Sequence, residues 1–461
     1  MRNFTIWIQK RIKLQYFIAI IFWLSVWQFI SIQVGETILL VSPFAVIKTL
    51  FGFLRTASFW STVAASSIRI IGGFFLALLV GICLSVVSAS FPMIKVLLSP
   101  LMVTIKSIPV ASFIILALLW LNSGQLAVFI SFLMVLPIVY TNMLEGILSM
   151  DEQLIEMTTI FRIPKRKQMR YFYLPSVQSF LLSACMVGLG MCWKSGVAAE
   201  VIGITDGSIG GALYNAKIFL STGEVFAWTV IIVVISITFE KLFLSFLRWM
   251  LKRLQIVNKN KYANTPLGPH PGDIILRGVS KLFDGQSILE DMDFCAWTGQ
   301  HYCIMGASGR GKTTFMRIVM GLEHADQGEV LIPQGTRFSC QFQENRLAEQ
   351  LSGIDNVSVA CPYINEQDIR NAFEQVGFTR EDMEKPAIHL SGGQKRRVSL
   401  IRAVLAESDV LILDEAFKGL DEKTKALTVQ FINQNLNHRT FFMVTHEKED
   451  AQLFNMEIIE L

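Results

Sequence analysis

Three short stretches in the last third of the chain carry residue types whose spacing fits chemistry on phosphate. The first is Gly306-Ala-Ser308-Gly309-Arg-Gly311-Lys312-Thr313-Thr314. Its glycines let successive backbone N–H groups turn toward phosphate oxygens at a helix N-terminus, an end that already favours anions. Lys312 would reach the outer phosphates, and the Thr313 hydroxyl would ligate Mg²⁺. The second is an apolar run, Val410-Leu-Ile-Leu, ending in Asp414-Glu415. A buried strand delivers such carboxylates from its C-terminal end, where doubly wound sheets place ligands. Asp414 then suits the metal, and Glu415 suits the base that orients a water for attack on the last phosphate. The third is Leu390-Ser391-Gly392-Gly393-Gln394. A serine and two glycines opening a helix at Gln394 make a second phosphate-facing N-terminus. In this order, the three imply a site that binds ATP and splits it with water.

The elements that must hold these residues are legible from patterning. Over residues 272–461, apolar strand-like runs at 302–305, 410–413 and 440–444 alternate with helical stretches, an α/β pattern. The front half reads differently. No charged residue occurs over residues 14–35, 70–94, 107–144 or 171–193, and about 20 mostly apolar residues suffice to cross a bilayer as a helix. Six spans are expected, near 14–34, 69–90, 96–120, 126–146, 174–194 and 225–247, the third and fourth parted at Asn122-Ser123-Gly124. The first follows Arg2, Lys10, Arg11 and Lys13 but has no small-residue cleavage site, so it reads as a retained helix rather than a signal peptide. The basic segment Arg162-Ile-Pro-Lys165-Arg166-Lys167, with Arg170, and the cluster Arg248, Lys252 and Arg253 then face the cytosol. So does the α/β half, which needs cytosolic ATP. The expected division is a membrane domain over 1–253, a polar, proline-spaced linker over 254–271, and an α/β domain over 272–461.

Composition adds little beyond this. A net charge of +4 over 461 residues argues for no particular partner, and no nucleic acid is expected. The seven cysteines form no CxxC pair, and all are expected to be small buried residues. Ionisable groups inside spans are functional candidates. Lys106 lies ahead of Pro109, where it either lines a path for an anion or snorkels to an interface, and Lys194 lies near Glu200.

Residues 272–461 resemble a complete ABC-transporter ATPase domain. The resemblance implies that Ser391, Gly392 and Gly393 bind the γ-phosphate of ATP held by an opposite domain, so that two copies of the chain form a homodimer. It implies a nucleotide-sensing contact to Mg²⁺ and water for Gln343, within Gln341-Phe-Gln343-Glu344. It gives Asp421 the dimer-loop position, His446 the γ-phosphate switch, and Phe283 a stack on adenine. Ala416 stands where the family commonly has proline, a change to loop stiffness rather than chemistry. The front half resembles permeases of the nitrate/sulfonate/taurine group of binding-protein-dependent importers. The resemblance rests on Leu40-Val-Ser-Pro43, on Trp193-Lys-Ser-Gly-Val-Ala-Ala-Glu200-Val-Ile-Gly203, and on a coupling loop with Glu156 and Leu174-Pro175. In that loop Met157, Thr158 and Phe161 depart from the family's small residues. The resemblance thus implies a fused permease and ATPase in a bacterial cytoplasmic membrane, importing a small anion or polar molecule delivered by an extracytoplasmic binding protein. Short cytoplasmic loops disfavour an exporter, and an intact Glu415 and His446 disfavour a sensor that merely binds ATP.

Overall fold

The computed structural model describes residues 2–36, 38–254, 272–283, 286–307 and 309–461. Ser308 and residues 255–271 of the expected linker lie outside the described residues. The chain divides into two compact units, Met1–Ser149 with Ser176–Lys252, and Met150–Pro175 with Arg253–Leu461. The segment expected to be a coupling loop therefore belongs to the same unit as the α/β half.

The first unit is helical. Its long helices are Arg2–Val34, Ala57–Ser90, Ser123–Leu148 and Thr222–Leu254, together with the greater part of Leu174–Ile202. Among the described residues four helices are long and apolar enough to cross a membrane, and a bent pair makes a fifth if counted as one span. Ile18–Val34 is apolar but shorter. The bent pair replaces the straight span expected near 96–120. Pro92–Ser107 and Val110–Ala117 meet at 101°, because Pro109 holds Ile108 in extended backbone, at φ −78° and ψ 133°. Asn122 caps the next helix by accepting from the Gln125 N–H, at the break expected between the third and fourth spans.

The helix expected to start at residue 69 begins at Ala57. Its first turns are rich in serine, which gives no apolar signal, yet their hydroxyls bond within the helix, as Ser61 Oγ does to the Ser58 carbonyl at 2.9 Å. Arg69 consequently lies inside the helix. There it donates to Glu200 at 3.3 Å. Glu200 is fully buried and also accepts from Ser66 Oγ at 2.7 Å and from the Gly210 N–H at 3.2 Å. Three donors satisfy a carboxylate that would be costly to bury alone. Lys194, the cation the sequence set near Glu200, is exposed, and Arg69 takes that place. Lys106 is also exposed and donates to Thr141 Oγ1 at 3.1 Å.

Small residues let these helices approach closely. A Cβ on Gly73 would lie 2.5 Å from the Val128 carbonyl oxygen, and one on Gly196 would lie 2.5 Å from Ser131 Oγ. Gly73→Leu should therefore force helices apart and cost about 1–3 kcal/mol, the usual range for overpacking. Thermal unfolding of the purified protein in detergent would show this as a lower midpoint; an unchanged midpoint would mean that this crossing is not tight.

The second unit contains eight strands among the described residues: β1 Ile274–Phe283, β2 Gln286–Ala296, β3 His301–Met305, β4 Gln327–Leu331, β5 Phe338–Gln341, β6 Val410–Asp414, β7 Thr440–Val444 and β8 Glu457–Glu460. An antiparallel sheet runs β2-β1-β4, and a second sheet, parallel in its pairings, runs β5-β6-β7-β3-β8. Strands β6 and β7 are buried at every position, as continuous apolar runs in a covered parallel sheet should be. Helix Glu152–Ile160 joins this core. Met157, Ile160, Ile163, Tyr171 and Phe172 are buried in the same apolar cluster as Ile304 and Ile412. The cysteines depart from expectation at two places: Cys83 is exposed and Cys295 half-buried, whereas the other five are buried. Both stand on elements with a face turned away from a core, so composition alone could not place them.

Candidate functional site

The strand order gathers the candidate residues. Gln343 follows β5, Asp414 and Glu415 end β6, His446 follows β7, and the Gly306 loop with Lys312 follows β3. These four strands are neighbours, and Ile304 and Asp414 both register with Val444. Four separated stretches of sequence therefore open at the C-terminal edge of one parallel sheet, where such sheets bind ligands.

The loop from Gly306 has the backbone its glycines predict. Gly306, Gly309 and Gly311 stand at φ +151°, +84° and +85°, a region costly for other residues. At Gly311 a Cβ would also lie 2.8 Å from the Ile288 carbonyl oxygen. Gly311 caps helix Lys312–Val319. Lys312 is buried and donates to the carbonyls of Gly306 and Ala307 at 2.8 and 2.9 Å. Thr313 is exposed and Thr314 half-buried beside it.

Asp414 is buried, and its carboxyl is pushed up to about 6 by burial first, then by the charges of Glu415 and Glu344, against a smaller opposing pull from Lys312 and Arg346. A carboxylate destabilised in this way fits a divalent cation, which would relieve both the burial and the repulsion. Among the described residues no cluster of three or more His, Cys, Asp or Glu could hold a metal.

Glu415 sits at φ +48°, with its N–H bonded to the Val444 carbonyl at 2.9 Å. Its carboxylate lies 2.6 Å from Lys418 Nζ and 3.5 Å from His446 Nε2. Burial raises the Glu415 carboxyl, but Lys418, His446 and Arg396 outweigh it and leave the group below the ordinary glutamate value. His446 is half exposed. Asp421 caps helix Glu422–Asn435 by accepting from the Thr424 N–H, and the Thr424 side chain first, then this N–H, hold its carboxyl below the ordinary value. Gln343 is exposed. Phe283 closes β1, partly exposed, with Lys281 Nζ 5.2 Å from its ring centroid.

Ser391 caps helix Gly392–Leu405. Its Oγ accepts from the Gln394 N–H at 3.2 Å, while Gln394 Oε1 accepts from the Ser391 N–H at 2.9 Å. This reciprocal capping box gives both side chains a structural job at the helix start. Gly392 and Gly393 have none: a Cβ on either would meet nothing within 4 Å, and neither has a positive φ.

Glu156 of helix Glu152–Ile160 reaches this part of the molecule. It accepts from Arg317 at 2.5 and 3.0 Å and from Arg346 at 2.9 Å. Arg317 is on the helix that Lys312 begins, and Arg346 follows the Gln343 loop. Arg317 is the main cause that holds the Glu156 carboxyl below its ordinary value against burial, with Arg346 adding to it. The Arg346 guanidinium lies 3.7 Å from the Phe342 ring centroid, and the Arg346 carbonyl accepts from the buried Arg402 at 2.8 Å. Arg402 in turn lies over the Phe161 ring at 5.0 Å. The sequence reading missed Arg317, Arg346, Arg402 and Lys418. Single basic residues carry no motif, and the Glu156 pairs join positions 161 and 190 apart.

Both halves of the chain match known families. Residues 289–418 match the family model described as ABC transporter, and residues 73–256 match that of the binding-protein-dependent transport system inner membrane component. An aliphatic sulfonates import ATP-binding protein of Rhodococcus jostii (SsuB 1) is 33% identical over 192 residues, 40% of this chain and 78% of that protein. A protein of the same name from Shouchella clausii is 35% identical over 178 residues, 38% of this chain and 72% of that protein. A solved dimeric bacterial ABC transporter cassette is 23% identical, with a TM-score of 0.37, covering 41% of this chain and 94% of that one. The chain belongs to the ABC transporter family, as a membrane protein in which a binding-protein-dependent permease domain is fused ahead of an ATP-hydrolysing cassette.

Proposed function

We propose that two copies of this chain form an ATP-driven importer of a small organic anion of the sulfonate class, delivered by an extracytoplasmic binding protein across a bacterial cytoplasmic membrane. The observation that carries the paired arrangement is the pair Gly392 and Gly393. Glycine is the residue that loses most conformational freedom on folding, and nothing in the chain's own packing requires it at these first two positions of the helix. Bare backbone N–H groups at a helix N-terminus suit a phosphate brought by another body. We assign that phosphate to ATP seated on the partner's Gly306 loop, with Phe283 against adenine.

In this reading Gly306, Ser308, Gly309, Gly311, Lys312, Thr313 and Thr314 cradle the phosphates. Thr313, Asp414 and Gln343 hold Mg²⁺, which neutralises charge on the phosphates. Glu415 orients and deprotonates water, His446 and Asp421 fix the closed arrangement, and positioning with charge stabilisation does most of the rest. Residues 1–253 form the permease, 254–271 the linker and 272–461 the ATPase. The sulfonate class rests on the names of the relatives, and the binding protein on the family of the permease half.

The test is uptake of radiolabelled methanesulfonate or taurine into proteoliposomes containing the full chain, with candidate binding proteins outside and ATP on the cassette side. One pairing should stimulate both uptake and hydrolysis. Hydrolysis unchanged by every binding protein, without uptake, would favour an ATP-switched sensor instead.

A further inference from the structure

Outside the elements so far assigned, the molecule places one basic side chain on the carboxylate that the reaction needs. Lys418 Nζ lies 2.6 Å from Glu415 Oε2. The other oxygen, Oε1, faces His446 Nε2 at 3.5 Å. A carboxylate that grips an ammonium at that distance is not free to accept a proton from water through the same oxygen. Lys418 and the attacking water therefore compete for Glu415.

The geometry also shows how the competition can be decided. Glu415 is 12% exposed and held by its backbone bond, whereas Lys418 is 63% exposed. Lys418 is the partner able to swing away. Its own carbonyl accepts from Arg396 Nη1 at 2.7 Å, and Arg396 lies one turn into helix Gly392–Leu405. The turn bearing Lys418 is thus tied to the helix that starts at Ser391. Glu415, Lys418 and His446 line one open cleft together with Gly419 and Leu420.

We propose that Lys418 is a positioning residue that sequesters the Glu415 carboxylate and must release it before water can be activated in each cycle. Movement of helix Gly392–Leu405 as a nucleotide engages its N-terminus is passed through Arg396 to the Lys418 turn, which frees the carboxylate. ATP hydrolysis is thereby gated by engagement of the Ser391 loop. The inference rests on the reading of Glu415 as the group that activates water.

Hydrolysis of ATP by the full chain in nanodiscs, without a binding protein, tests it. Lys418→Gln should raise kcat about fivefold, the factor carried by about 1 kcal/mol, and leave KM for ATP within about twofold. Lys418→Arg should restore the low rate, since a guanidinium can grip the same carboxylate. A kcat in Lys418→Gln equal to or below the parent rate would overturn the proposal, as would a Lys418→Arg that behaves like Lys418→Gln. The double variant Glu415→Gln with Lys418→Gln separates the two ideas. If it is inactive while Lys418→Gln is merely unchanged, the latch fails and the role of Glu415 stands. If it keeps the parent rate, both fall. Lys418 is exposed enough that neither replacement threatens the fold.

Discussion

Replacing Glu415 by Gln is expected to leave ATP binding intact and to lower hydrolysis by about 10²–10⁴-fold, the range of a lost general base. The amide keeps the shape of the side chain but cannot take a proton. It also loses the charged bond to Lys418 and the repulsion that helps to raise Asp414. The variant should therefore hold ATP with Mg²⁺ at least as well as the parent and accumulate as a closed pair. Nucleotide retention through gel filtration, together with single-turnover hydrolysis, would show both effects. Ordinary turnover would remove Glu415 from the mechanism.

Glu156→Lys has the next largest expected effect. Glu156 is the carboxylate between Arg317 and Arg346, and a lysine there would set three cations together. Losing the carboxylate leaves two guanidinium groups without their shared partner, and a third positive charge adds repulsion between them. The expected result is loss of at least tenfold in transport, with substrate-independent ATPase held within about twofold, because neither Lys312 nor Glu415 touches Glu156. Reversal at Arg317 in the same chain (Glu156→Lys with Arg317→Glu) should recover part of the transport, since one opposite-charge pair is restored beside Arg346. Uptake at the parent rate in Glu156→Lys would show the helix to be a passive spacer.

The legibility of this chain varies with the range of the interaction. The Gly306 loop is local: its positive φ values and the helix at Lys312 follow from glycine spacing, and all appear as expected. The capping box at Ser391 and Gln394 is equally local, and helix capping and phosphate binding call for the same residue types there. The glycines between them have no such second use. In the membrane unit the hydropathy runs unbroken across residues 107–121, so the bend at Pro109 is carried by one residue that composition averages away. The serines of 58–67 hid twelve residues of helix and with them the position of Arg69. Arg317, Arg346, Arg402 and Lys418 acquire meaning only from partners brought up by the fold.

The paired site can be tested by mixing two chains that are each inactive alone. One carries Lys312→Ala, which removes the phosphate cradle's cation. The other carries Gly392→Asp, which the open space at that position lets the fold accept but which sets a negative charge where the partner's phosphate would lie. In a mixed pair, one site receives both lesions and the other receives an intact Lys312 and an intact Ser391 loop from different chains. Hydrolysis measured on the purified, differently tagged mixed pair should reappear well above either parent variant. If the mixed pair is as inactive as its parents, Lys312 and Gly392 act within one chain, and the shared site does not exist.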